Sequence, residues 1–306
     1  MKAIVESVAW DNAKSSGANI GAKGSRAYFE SAAVSLWSVK RTNPDWEALL
    51  VTNTEVPSDV RDILDGFGAI VIHQPFEKFS FPFDVPWHLA YYKLCAVDSV
   101  LSSESYQYVC MLDTDTWVRG SLEELYASSR GGVSMIDLHA PLADRDRRAM
   151  ETDLKHIGIE KPECFLPFYG GELLCGGVSE LRLVLDACSY VHRKMVSHGY
   201  VSKRGDEFLL YASTALGSLP TVVSANGYAT RCWTGRYYSV PRWEDLAILH
   251  LPAEKVYSFP RAFKKLNHMG QIDPAWFERS CGLRQSRRPV SPLWMAKRSL
   301  DKVLKR

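Results

Sequence analysis

The chain has 306 residues, 46% hydrophobic and 24% charged, enough apolar material for a substantial core and too much for a disordered chain. Its 37 Lys and Arg balance 35 Asp and Glu, for a net charge of +2, which excludes a protein built to coat nucleic acid. No stretch approaches the roughly 20 apolar residues of a membrane span, and the 7 cysteines form no C-x-x-C pair, so a zinc knuckle or a disulfide framework is not expected and a cytoplasmic protein is.

Residues 3–9 (AIVESVA) read as a first strand, 26–40 as a helix with apolar side chains near helical spacing, and 48–52 (ALLVT) as a second strand. Pro57 opens a short helix over 57–65, Gly66 and Gly68 stop it, and 69–73 return to strand. This βαβαβ order, with strands that are continuous apolar runs, predicts an α/β domain with a largely parallel sheet. A Phe- and Pro-rich loop (75–86), a helix over about 87–101 and a strong strand at 106–112 follow, the last ending on Asp113. Beyond it come a strand at 133–137, a charged surface helix or loop at 144–156, and the glycine-rich strand 168–178. Helices over 179–197 and 205–216 and a short strand at 246–251 complete the pattern, with a basic, partly aromatic tail at 283–306.

Chemistry concentrates at Asp113-Thr114-Asp115. Two carboxylates at the end of a buried strand sit where open α/β sheets bind ligands, and such a pair suits a divalent ion carrying a substrate's phosphates. Asp144-Arg145-Asp146 repeats the D-x-D spacing in a charged setting that points to an exposed surface. Asp206-Glu207 starts a helix-like segment, where acids also favour the helix dipole. His250 ends an apolar strand and is a competent third ligand for Mn²⁺ beside two carboxylates. Gly170 and Gly171 leave room for backbone to approach a ligand, and Glu172 beside them offers a carboxylate to a sugar hydroxyl. Trp233, in the aromatic loop 232–238, is a candidate for stacking on an acceptor. The tail mixes Leu293, Trp294 and Leu300 with eight cations, which suits a segment lying on anionic lipid at the inner membrane face.

The run YVCMLDTDTWVRGSLEELY (108–126) resembles the D-x-D strand and following helix of retaining glycosyltransferases related to glycogenin and the bacterial lipooligosaccharide galactosyltransferases. Tyr91-Tyr92-Lys93-Leu94 resembles that family's Tyr-x-Arg-Leu, with lysine replacing the arginine that reaches the nucleotide-sugar, and Val8-Ala9-Trp10-Asp11-Asn12 resembles the first-strand exit that cradles the base. FYGGELLCGG (168–177) is closer in wording to the blood-group A/B-type transferases. The family's His-apolar-x-Gly…Lys-Pro-Trp segment is kept here as His250 and Lys255, without the Gly and Pro-Trp and with the lysine one position nearer.

This resemblance implies a single Rossmann-like αβα sandwich of the glycosyltransferase A type, with a nucleotide-sugar half at 1–118, an acceptor half at 119–260 and a C-terminal extension at 261–306. It implies transfer of a hexose from a UDP-sugar to a glycan or glycolipid, with retention, using Mn²⁺ or Mg²⁺. Asp113, Asp115 and His250 would hold the metal. Ala9, Asp11, Lys93 and Lys255 would contact the nucleotide, and Asp206 or Glu207 would serve the sugar centre. Two other readings fit part of the same text. The Asp-x-Asp pair is shared with the Asp-x-Asp-x-Thr nucleophile signature of haloacid-dehalogenase-like phosphatases, with Asp113 as nucleophile, Asp115 as acid/base and Lys203 and Asp206 completing the site. A non-catalytic sugar-nucleotide-binding protein is the third.

Overall fold

The computed structural model describes residues 1–11, 24–85, 87–138, 144–233, 236–237, 243–283, 296 and 300. The expected tail therefore lies outside the described residues apart from its first residue and two isolated positions.

Three parallel strands start the sheet: β1 (Lys2–Val8), β2 (Glu47–Thr52) and β3 (Ile70–His73), linked by helices α1 (Arg26–Thr42) and α2 (Ser58–Gly66). Pro57 caps α2 from outside its first turn. Strands β1 and β2 are buried along most of their length, with apolar runs at 3–5 and 48–51, because both faces are covered. The chain then crosses back through α3 (Tyr92–Ser102) to β4 (Tyr108–Leu112), which pairs parallel with β1 on its free side. The reversal of strand order between β1 and β4 makes a crevice at their carboxyl ends, the place where such sheets take ligands.

The expected helix over 87–101 is split. A 3-10 turn (His88–Tyr91) precedes α3, and Trp87 sits before that turn in the left-handed region at φ 59°.

After β4, the short β5 (Thr116–Val118) and α4 (Glu123–Ser128) lead to β6 (Val133–Asp137), α5 (Asp144–His156) and β7 (Tyr169–Gly177). The second D-x-D is thus on a surface helix, where Asp146 pairs with Arg204 at 2.6 Å. Strand β7 runs antiparallel between β4 and β6, and its middle is buried. Helices α6 (Val178–Ser197) and α7 (Asp206–Ala215) precede β8 (Val222–Ser224), which closes a seven-stranded mixed sheet of order β3-β2-β1-β4-β7-β6-β8.

A second, four-stranded sheet has the order β10-β9-β11-β5, with β9 (Ala229–Trp233), β10 (Arg236–Tyr237) and β11 (Ile248–His250). Helices α8 (Ser258–Met269) and α9 (Pro274–Ser280) follow. Phe259, Ala262, Phe263 and Leu266 form the buried stripe of α8, which packs on α1. Phe277 of α9 meets the fully buried Trp117 of β5 at 4.4 Å between ring centroids. Burying side chains of this size is worth about 1.5–3 kcal/mol each, so α8 and α9 help hold β5 and the second sheet against α1.

Candidate active site

The two sheets meet at Asp113 and Asp115. Asp113 follows β4, and its backbone N–H donates to the Glu172 carbonyl on β7 at 3.0 Å. Asp115 precedes β5, and its carbonyl accepts from Leu251 N–H at 2.8 Å. Strand β11 lies between β5 and β9, so its last residue, His250, sits opposite Thr116 on one side and Arg231 on the other. Register alone therefore delivers the imidazole to the D-x-D turn.

His250 Nε2 is 3.3 Å from Asp115 Oδ1 and 3.5 Å from Asp113 Oδ2. One donor atom from each of the three residues falls within 4.8 Å of the others. Adjacent ligands of a six-coordinate Mg²⁺ lie about 3 Å apart, given bonds of about 2.1 Å, so the spacing suits a small divalent ion. Asp115 is 1% exposed, and neither of its carboxylate oxygens has a hydrogen-bond partner. Such a carboxylate needs positive charge, which Lys255 and His250 supply in part and a metal ion would complete.

Lysines approach both acids. Lys255 Nζ is 3.2 Å from Asp115 Oδ2 and sits over the Tyr28 ring at 4.5 Å from its centroid. Lys93 Nζ reaches Asp113 at 2.9 Å, Asp206 at 2.8 Å and the Gly171 carbonyl at 2.7 Å. An ammonium has three N–H donors, and here three divergent acceptors meet them, a geometry a planar guanidinium would fit poorly. Burial opposes the charge on Lys93, but Asp113 and Asp206 outweigh it and hold the ammonium well above its ordinary range.

A second cation works on the other side. Arg231 of β9 grips Glu172 with both ends of its fork, and its Nη2 also donates to Glu207 at 2.7 Å. The first turn of α7 is thus shared: Asp206 goes to Lys93 and Glu207 to Arg231. Burial raises both of those acids, partly offset by their cations. For Asp115 and Glu172 the balance goes the other way. Burial would raise them, but Lys255 and His250 beside Asp115, and Arg231 and His250 beside Glu172, hold both below the usual carboxylate range.

The two glycines make room for this network. A Cβ on Gly170 would fall 2.0 Å from Glu172 Oε2, and one on Gly171 would fall 2.1 Å from Asp206 Oδ2. The space they leave holds charged side chains of the chain itself.

Ala9 and Asp11 lie at the exit of β1, on the same sheet edge as Asp113. That exit is pinned to the end of β2, because Trp10 N–H donates to Asn53 at 2.9 Å. Trp233 ends β9, and its side chain lies outside the described residues. Lys203 is exposed, and it is Lys93 that joins Asp113 to Asp206, so the phosphatase constellation is not assembled.

Two residues of the cluster carried little sequence signal. Arg231 is a lone cation in ATRCW, a strand too short for periodicity to show. Glu6 is an acid inside an otherwise apolar strand. It is fully buried without a hydrogen-bond partner, and burial pushes its carboxyl well above the usual range.

No family model matches the chain, and no curated protein sequence does. Among solved structures it is similar to a galactosyltransferase, LgtC, crystallised in complex with donor and acceptor sugar analogues. The likeness has a TM-score of 0.56 and covers 90% of this chain and 98% of that one, at 15% identity. The chain has the glycosyltransferase A-type fold. In this αβα fold the D-x-D turn, the β1 exit and His250 share one edge, at the β1/β4 crevice. No helix among the described residues is long and apolar enough to cross a membrane.

Proposed function

We propose that the chain is a metal-dependent glycosyltransferase that moves a hexose from a nucleoside diphosphate sugar, a UDP-sugar, to a glycan or glycolipid acceptor with retention of configuration. The observation that carries this reading is the convergence of Asp113, Asp115 and His250 at the β1/β4 crevice. The charge there supports it. Five carboxylates (Asp113, Asp115, Glu172, Asp206 and Glu207) face three permanent cations (Lys93, Arg231 and Lys255), which leaves a formal deficit that one divalent ion fills.

Asp113, Asp115 and His250 would hold Mn²⁺ or Mg²⁺, which supplies positive charge to a departing diphosphate. Residues 1–118 would form the donor half, with Ala9 and Asp11 at the base, and 119–260 the acceptor half. Lys255, beside Asp115 and over Tyr28 of α1, would meet phosphate charge. Lys93 holds Asp206 against Asp113, which would keep that carboxylate in one orientation toward the sugar end of the donor. Retention would use that carboxylate as nucleophile or a same-face attack assisted by the leaving phosphate. The basic tail at 283–306 would rest on anionic lipid near a membrane-bound acceptor.

The test is a calorimetric screen of nucleoside diphosphate sugars with and without Mn²⁺. A UDP-sugar should bind in the micromolar range only with the metal, and turnover or slow donor hydrolysis should separate an enzyme from a binding protein. Absence of binding by every donor in both conditions would end the proposal.

A further inference from the structure

We infer that Glu172 and Arg231 are positioning residues for the metal ligand His250, and that Glu172 serves the imidazole in place of a sugar hydroxyl. The inference rests on the metal reading above and names the part of the cluster that makes His250 a ligand.

An imidazole binds a metal through one nitrogen more tightly when the other is held. Metal-ligating histidines almost always donate their second N–H to a carboxylate, a carbonyl or water, which fixes both tautomer and ring orientation. His250 Nε2 faces Asp113 and Asp115. Its Nδ1 is buried without a hydrogen-bond partner, and Glu172 Oε1 lies 3.7 Å away. A small turn of the ring toward a metal-bound position leaves Glu172 as the acceptor at hand. Glu172 is 2% exposed, so water is a poor substitute.

Glu172 is itself fixed. Arg231 Nε donates to Oε1 at 2.7 Å and Nη2 to Oε2, which leaves the carboxylate no rotational freedom. Arg231 stands directly opposite His250 in the β9–β11 register, and the Glu172 carbonyl accepts from the Asp113 N–H. One residue thus touches the metal site twice, through its backbone at Asp113 and through its side chain at His250. Gly170 is part of the device, since a side chain there would overlap Glu172 Oε2. Arg231 Nη2 also donates to Glu207, so the chain Glu207–Arg231–Glu172–His250 ties the start of α7 to the metal ligand.

The experiment is a calorimetric Mn²⁺ titration of the full chain as wild type, Glu172→Gln, Arg231→Lys, His250→Ala and the double variant Glu172→Gln/His250→Ala. Loss of a carboxylate partner of a ligating histidine costs about 10- to 100-fold in metal affinity. Glu172→Gln should show that loss in the wild-type background and almost none in the His250→Ala background, because the two residues act as one unit. A merely structural role for Glu172 would give the same loss in both backgrounds. Arg231→Lys should weaken Mn²⁺ less than Glu172→Gln, and on ¹⁵N-labelled protein the nitrogen hyperfine coupling of bound Mn²⁺ should weaken in both. Wild-type affinity and coupling in Glu172→Gln, or equal losses in the two backgrounds, would overturn the inference while leaving the metal site standing. No Mn²⁺ bound by the wild type would remove the metal site and the relay together.

Discussion

The first turn of α7 sends its two acids to two different cations, and the two nodes differ in kind. At the Lys93 node a single ammonium holds Asp113, Asp206 and a backbone carbonyl, and the Asp113 side chain is 25% exposed. At the Arg231 node a planar fork holds Glu172, whose side chain is 1% exposed, and then Glu207. A point charge on a flexible stem, with Asp113 partly open to water, can be redirected when a ligand arrives. A bidentate pair buried between sheets cannot be loosened cheaply, since either partner left alone is an uncompensated buried charge. On the proposed reading this is a division of labour: the Lys93 node would serve ligand binding, and the Arg231 node the frame that holds His250.

The largest effect expected from this contrast is on folding. Arg231→Met should cost about 3–5 kcal/mol of stability, the cost of breaking a buried pair by removing one partner. Lys93→Met should cost less, about 1–3 kcal/mol, because Asp113 regains water. Urea unfolding of the two variants ranks them, and equal losses would erase the distinction between the nodes.

The glycines give a finer comparison. Gly170→Ala and Gly171→Ala each force a Cβ into a carboxylate, and overpacking of this kind costs about 1–3 kcal/mol. Gly170→Ala should weaken Mn²⁺ binding through Glu172, whereas Gly171→Ala should spare the metal and weaken the donor through Asp206 and Lys93. Parallel titrations with Mn²⁺ and with a UDP-sugar read out both.

Proton competition follows at the metal end. Burial works against a charged His250, but Asp115, Glu172 and Asp113 hold its pKa up at about 9 without a metal. That histidine's charge stabilises the metal-free fold fully below its ordinary value of 6.5 and is lost as pH rises through about 9. The metal needs the neutral imidazole, so the sign for binding is opposite. Mn²⁺ affinity should rise up to about tenfold per pH unit between pH 7 and 9 and then level, with close to one proton released per ion at neutral pH. Calorimetry in buffers of different ionisation enthalpy measures that proton, and a flat pH profile would contradict the assignment. The smallest effects should come from the decoys: Lys203→Ala and Asp146→Asn, both outside the cluster, should each change stability by less than about 0.5 kcal/mol and leave Mn²⁺ binding unchanged.

Much of this site was legible in the sequence because its residues stand at element ends. Asp113 closes an apolar strand, His250 closes another, and Asp206-Glu207 opens a helix, so local pattern marks all of them. Arg231 was not legible, because its importance comes from β-register with His250, and β9 is five residues long with no alternation to read. The glycines were visible, but sequence alone suggests space for a ligand where side chains from β7 and α7 fill it. Among the elements, β5, β8, β9 and β10 were too short to show a period. Helix α8 was not among the expected elements, although its apolar stripe at Phe259, Ala262, Phe263 and Leu266 has a helical period. Trp87 broke the helix expected at 87 through a backbone conformation that composition does not encode.

The central claim is that Asp113, Asp115 and His250 bind one divalent ion that in turn recruits a nucleoside diphosphate. Electron paramagnetic resonance of Mn²⁺ titrated into the wild type, Asp115→Asn and His250→Ala, each with and without UDP, tests it most directly. The expected result is one ion per wild-type chain, bound more tightly when UDP is present, with both the site and the UDP effect lost in Asp115→Asn and weakened in His250→Ala. Wild-type binding in both variants, or no UDP effect in the wild type, would contradict the account.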